Sequence, residues 1–81
     1  MTMYSTVWCG YCQRLKKQLA ELNIEYSEVD IEQQPDAAQI VEQVNQGNRT
    51  VPTVVFADGH AMTNPSVQAV ISKLEELTSK A

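Results

Sequence analysis

Thr2-Met3-Tyr4-Ser5-Thr6-Val7-Trp8-Cys9-Gly10-Tyr11-Cys12 decides the architecture. Its first part, Thr2 to Val7, mixes β-branched and aromatic residues and predicts a short strand. Beyond it, Cys12, Leu15, Leu19 and Leu22 fall at helical spacing and mark one apolar face, while Gln13, Arg14, Lys16 and Lys17 point mostly elsewhere. The cysteines therefore straddle a strand-to-helix junction. Cys9 belongs at or near the N-cap, and Cys12 inside the first turn.

Working outward, Asn23 is a helix stop and Ile24 to Ile31 predicts a second strand. Gln33-Gln34-Pro35-Asp36 breaks it, and Ala37, Ile40, Val41 and Val44 set out a second amphipathic helix. Asn45-Gln46-Gly47-Asn48 offers residues that tolerate left-handed backbone, so that helix ends there. Val51-Pro52-Thr53-Val54-Val55-Phe56 is the next strand, with its proline at the start, where a missing N–H does least harm. Ala57-Asp58-Gly59-His60 predicts a hairpin turn leading to a short strand through Ala61 and Met62. Asn64 and Pro65 read as N-cap and first position of a last helix, whose stripe is Val67, Val70, Ile71, Leu74 and Leu77. The order β-α-β-α-β-β-α predicts an α/β fold. Two leading βα units make a parallel pair with a right-handed crossover. The late hairpin adds antiparallel strands, giving a four-stranded mixed sheet with helices on both faces. No repeat, linker or low-complexity stretch divides residues 1–81, so one domain is expected.

Composition narrows the function. Ten acidic against six basic residues give a net charge of −4, which repels phosphate backbones and anionic lipid; neither nucleic acid nor membrane is an expected partner. Apolar runs fall far short of the roughly 18 residues that cross a bilayer. Met1-Thr2-Met3-Tyr4 has neither a basic nor a long apolar stretch, so no secretory signal is visible and a cytoplasmic protein is expected. The cysteines number two, a single close pair rather than the scattered staples of a small secreted domain. The loop they would close is too short to constrain much chain. A reversible dithiol fits.

At a helix N-terminus, unpaired backbone N–H groups and the helix dipole stabilise a thiolate, and Arg14, Lys16 and Lys17 add positive potential. Cys9, the nearer to those amides and the more exposed, is the expected nucleophile; Cys12, facing the helix interior, is the expected resolving thiol. Three alternatives stay open. A zinc site needs two further ligands, for which only His60 and carboxylates are at hand. An iron–sulfur cluster could be shared between two chains. Both cysteines could also be inert core residues. Trp8 and Tyr11 flank the pair, either as rim packing or as walls of a substrate groove. A cis Val51-Pro52 bond would present the Val51 backbone as an edge for a substrate cysteine. Arg49 reads as a loop cation able to touch an anionic or polyhydroxyl ligand.

Trp8-Cys9-Gly10-Tyr11-Cys12, Thr50-Val51-Pro52 and the opening of the last helix match, in order and spacing, the thioredoxin superfamily and within it the glutaredoxins. The resemblance spans the whole chain and implies a cis Pro52 and a nucleophilic Cys9. Glutathione-using relatives carry a Gly-Gly before the last helix that grips the terminal carboxylate of glutathione; this chain has Met62-Thr63-Asn64-Pro65-Ser66. Asn45, Gly47-Asn48-Arg49-Thr50-Val51-Pro52-Thr53-Val54, Phe56-Ala57-Asp58-Gly59 and Thr63-Asn64-Pro65 are similar to the mycoredoxins. Those work with mycothiol, a cysteine joined to a glucosamine–inositol sugar with no glycine carboxylate to hold. The resemblance implies reduction of protein–mycothiol mixed disulfides by a monomer, with mycothiol as co-substrate, no tightly bound cofactor and no metal. An NADPH-dependent mycothiol disulfide reductase would serve it indirectly. Trp8, Tyr11, Arg49, Thr50, Val51, Pro52, Thr63, Asn64 and Ser66 are the implied substrate contacts. Two rival roles are a dithiol donor recharged by thioredoxin reductase, for example to ribonucleotide reductase, and an iron–sulfur cluster protein.

Overall fold

A computed structural model describes residues 1–79. Its elements follow the predicted order: β1 (Thr2–Ser5), α1 (Gly10–Glu21), β2 (Ser27–Asp30), α2 (Pro35–Val44), β3 (Thr53–Val55), β4 (Ala61–Thr63) and α3 (Val67–Ser79). The four strands form one sheet in the order β2-β1-β3-β4. β1 runs parallel to β2, pairing Tyr4 with Val29, and antiparallel to β3, pairing Met3 with Val54. β4 closes the hairpin, with Met62 opposite Val54.

Strand alternation sends successive side chains to opposite faces. On one face Met3, Val54 and Phe56 pack with Leu15 and Leu19 of α1 and Val70 of α3. On the other, Ile31 joins Ala37, Ala38 and Val41 of α2, backed by Tyr4, Val29 and Val51. Helices thus cover both faces, as the periodicities predict.

The boundaries differ from expectation for identifiable reasons. β1 stops at Ser5 because the chain turns into α1, with the Cys9 N–H reaching the Thr6 carbonyl at 3.4 Å. β2 starts at Ser27 rather than Ile24, since the Ile24 N–H is spent on the Leu19 carbonyl closing α1 (3.0 Å). Asn23, the predicted stop, takes positive φ there. Pro35 opens α2 instead of breaking the chain before it; a first-turn N–H would have no helical partner anyway. The buried face of α2 is Ala37, Ala38 and Val41, while Ile40 and Val44 are exposed. Small alanines let the helix lie close to the sheet and turn the larger residues outward. The third strand begins at Thr53, after the proline that cannot donate to a ladder. Asn64 is not the cap of α3, nor Pro65 its first residue; the helix begins at Val67. Ser66 Oγ accepts from the Ala69 N–H at 3.1 Å, and Asn64 lies at positive φ before it.

Candidate active site

The strand-to-helix junction brings both cysteines together as free thiols. Cys9 is the N-cap of α1, its backbone extended and its Sγ accepting the Cys12 N–H at 3.1 Å. On its other side the Cys9 thiol donates to the Val51 carbonyl at 3.6 Å, immediately before the cis Val51-Pro52 bond. Cys9 retains 5% exposure and Cys12 none. The order of access is as expected, yet both sulfurs are recessed.

Burial, foremost, pushes the Cys12 thiol up to about 12, reinforced by its hydrogen bond to Cys9 and the charge there; the Thr6 backbone and Lys16 pull the other way. Cys12 is therefore a protonated thiol at neutral pH.

Around the recess stand exposed apolar side chains: Val7, Trp8 and Tyr11. The Trp8 indole is fixed by its Nε1–H donating to Glu32 Oε1 at 2.9 Å. Two clefts open beside the rim. One, of about 270 Å³, is lined by Tyr11, Arg14, Gln18, Asn64 and Ser66. The other, of about 390 Å³, is lined by Trp8, Glu32, Pro35 and Arg49. Among the described residues no three His, Cys, Asp or Glu side chains gather to hold a metal ion. His60 sits in the β3–β4 turn with its ring 6.4 Å from that of Phe56.

A thiol at a helix N-terminus, a buried second thiol one turn on and a backbone carbonyl beside them make up the apparatus of disulfide exchange. Residues 1–61 match the glutaredoxin family model. The chain belongs to the glutaredoxin family. It is 56% identical over 77 residues to a Mycobacterium tuberculosis protein described as a glutaredoxin, covering 95% of this chain and 92% of that one. It is 46% identical over 77 residues to Mycoredoxin 1 of Corynebacterium glutamicum, covering 95% of each. Among solved structures, the holo form of glutaredoxin C1 from Populus tremula × tremuloides superposes with a TM-score of 0.64 at 27% identity, over 93% of this chain and 73% of that one. This glutaredoxin is accordingly a thiol–disulfide oxidoreductase with the thioredoxin-type fold.

Within the glutaredoxin site, Cys9, Cys12, Val51 and Pro52 meet at the recess, and Trp8 and Tyr11 form its rim. Asn64 and Ser66 share a cleft with Tyr11, and Arg49 shares the opposite one with Trp8. Arg49 is ion-paired with Glu42. Thr50 and Thr63 are drawn into an internal network instead. The Thr50 carbonyl accepts from Thr53 Oγ1 (2.7 Å) and Asn45 Nδ2 (3.4 Å), and the Thr63 hydroxyl bonds Asn45 Oδ1. Asn45 Nδ2 also reaches Thr53 Oγ1 at 2.8 Å, and the Asn64 N–H donates to the Pro52 carbonyl at 2.7 Å. Asn45, at the end of α2, is thus the clasp that holds the Val51-Pro52 segment against β4. Its sequence signals were its place at a helix end and its share in the mycoredoxin resemblance, neither of which showed this role. Among the described residues no helix is long and apolar enough to cross a membrane.

Proposed function

We propose that this glutaredoxin reduces protein–mycothiol mixed disulfides through Cys9. The Cys9 thiolate attacks the mycothiol sulfur, the mixed S–S bond breaks, and the client leaves as its thiol with a proton from water. Cys9 now carries mycothiol. A second mycothiol thiolate attacks that sulfur, departs as mycothiol disulfide and returns Cys9 to the thiolate; an NADPH-dependent reductase restores the mycothiol. Cys12, protonated and wholly buried, is a poor competitor for the loaded Cys9, which leaves time for the second mycothiol. The observation that carries this reading is the likeness to Mycoredoxin 1 along nearly the whole chain. Trp8, Tyr11, Arg49, Asn64 and Ser66 line the clefts where the substrate would lie, with Val51 as backbone edge. A monomer acting in the cytoplasm, one domain over residues 1–81, completes the proposal.

A second reading, a dithiol donor recharged by thioredoxin reductase, draws on the Cys12 N–H to Cys9 Sγ bond, which sets the two cysteines close enough to pair. Turnover of one small mixed disulfide in its mycothiol and glutathione forms separates them. The mycothiol form is expected to react far faster, with Cys9→Ser inactive and Cys12→Ser active. Equal rates with both thiols, or a full loss in Cys12→Ser, would reject the one-thiol mycothiol route.

A further inference from the structure

Beside Thr6 and Val7 opens a polar cleft of about 240 Å³ that the exchange chemistry above leaves unused. It is lined by Ser5, Thr6, Lys16, Glu28 and Asp30, with glutamines at its edge. Lys16 is one helical turn beyond Cys12, the i, i+4 spacing that places two side chains about 5–6 Å apart on one face. Its side chain is mostly covered, and its ammonium pairs with Glu28 Oε2 at 2.6 Å. The same carboxylate oxygen accepts from Ser5 Oγ at 3.0 Å. Thr6 is the wall between cleft and thiols. Its carbonyl takes the Cys9 N–H and its backbone touches Cys12, while its Oγ1, buried, has no partner among the described residues. A polar space of this size with an unpaired hydroxyl in its lining suits ordered water.

We infer that Lys16, held by Glu28 at this cleft, sets how fast Cys12 captures Cys9, and so whether the enzyme turns over through one thiol or two. The inference rests on Cys9 being the thiol that takes up the mixed disulfide, and it holds whichever low-molecular-weight thiol is bound. In the capture step the Cys12 thiol gives up its proton to solvent. Its sulfur bonds to Cys9 Sγ, the Cys9–ligand S–S bond breaks, and the ligand leaves as a thiolate that takes a proton from solvent. Cys9 and Cys12 end as a disulfide, and the ligand sulfur is reduced. Lys16 lies near enough to stabilise the Cys12 thiolate, but Glu28 absorbs most of its field. Tyr26 and Asp30 are the other titratable groups facing this charge pair, and the Asp30 carboxylate is occupied by the Glu32 N–H at 2.8 Å. The pair therefore acts as a brake. With Glu28 neutralised, Lys16 would favour the thiolate; with Lys16 removed, nothing cationic on α1 would face Cys12.

The two substitutions therefore act in opposite directions. A tenfold change in thiolate fraction, partly offset by the matching change in nucleophilicity, leaves about a threefold change in rate. Reduced protein mixed with a chromogenic aryl disulfide releases one equivalent of aryl thiolate as Cys9 attacks and a second as Cys12 captures Cys9. The second phase is expected to be about threefold faster in Glu28→Gln and about threefold slower in Lys16→Met, with the rise of its rate with pH displaced downward and upward respectively. Lys16→Arg should stay near wild type. Failure of the Cys9 assignment appears in the first phase, and failure of the present inference appears only in the second. Second phases that slow alike in Glu28→Gln and Lys16→Met, or that match wild type in both, would overturn it.

Discussion

Cys12 concentrates the chemistry of the single residue. Burial favours its neutral thiol, raising it from 9.0 to about 12, so the folded chain holds that proton more tightly than the unfolded one. Such a group contributes stability that is complete below its unfolded value and is lost as pH climbs through the folded one. The reduced protein should therefore lose stability progressively from pH 9.0 toward about 12. Lys16 and Tyr26 are also raised, by the Glu28 hydrogen bond and by burial respectively, and they add to the same alkaline loss. Denaturant midpoints measured across that range in wild type and Cys12→Ala isolate the thiol's share. The variant's profile should be flatter, and parallel profiles would remove Cys12 from the account. Glu28 has the opposite sign. Its hydrogen bond with Lys16 lowers it, so its contribution is present above the usual carboxylate range and fades as pH falls below it.

At the scale of elements, helix ends separate what sequence patterns resolve from what they leave open. Asn64-Pro65 carries the usual signature of a helix start, yet Ser66 holds the cap, because Asn64 is tied by its N–H to the Pro52 carbonyl and its backbone is turned to positive φ. Replacing Ser66 by Ala should cost about 1 kcal/mol, and Ser66→Asp should restore most of it, since a carboxylate caps as well and meets the helix dipole. Thermal or urea unfolding of the two variants tests this. An Ala variant as stable as wild type would move the cap elsewhere. Element order, strand direction and the junction of Cys9 with α1 were legible because they rest on local spacing. The Asn45 clasp was not. It joins residues 45, 53 and 63 from three elements, and no periodicity records which element ends meet. Nor could spacing reveal that α2 buries Ala38 rather than Ile40, since a stripe of mixed sizes fits the sheet in more than one rotation.

Across the whole molecule, one thin sheet serves two unequal cores. Met3 and Val54 face α1 and α3, while Tyr4, next to Met3 on β1, and Val29 of β2 back α2. Neither layer can dissolve without exposing the strands the other rests on, so unfolding should be one transition, as in most domains of this size. Leu19 is the sharpest probe. It is wholly buried, near the closing end of α1, and packed in the larger cluster. Leu19→Ala removes that contact and leaves a cavity, at a cost of about 3 kcal/mol. Against a total of roughly 5–15 kcal/mol, such a loss is large. At roughly 4–8 °C per kcal/mol for a chain this short, the melting temperature should fall by roughly 10–25 °C. Ile40→Ser, on the exposed side of α2, should change stability by no more than about 0.5 kcal/mol. Calorimetry reads both. The Leu19 variant should still melt in one step, since the α2 layer loses its support with the sheet. A second, unshifted transition would mean that the two faces fold independently and that the shared sheet does not couple them.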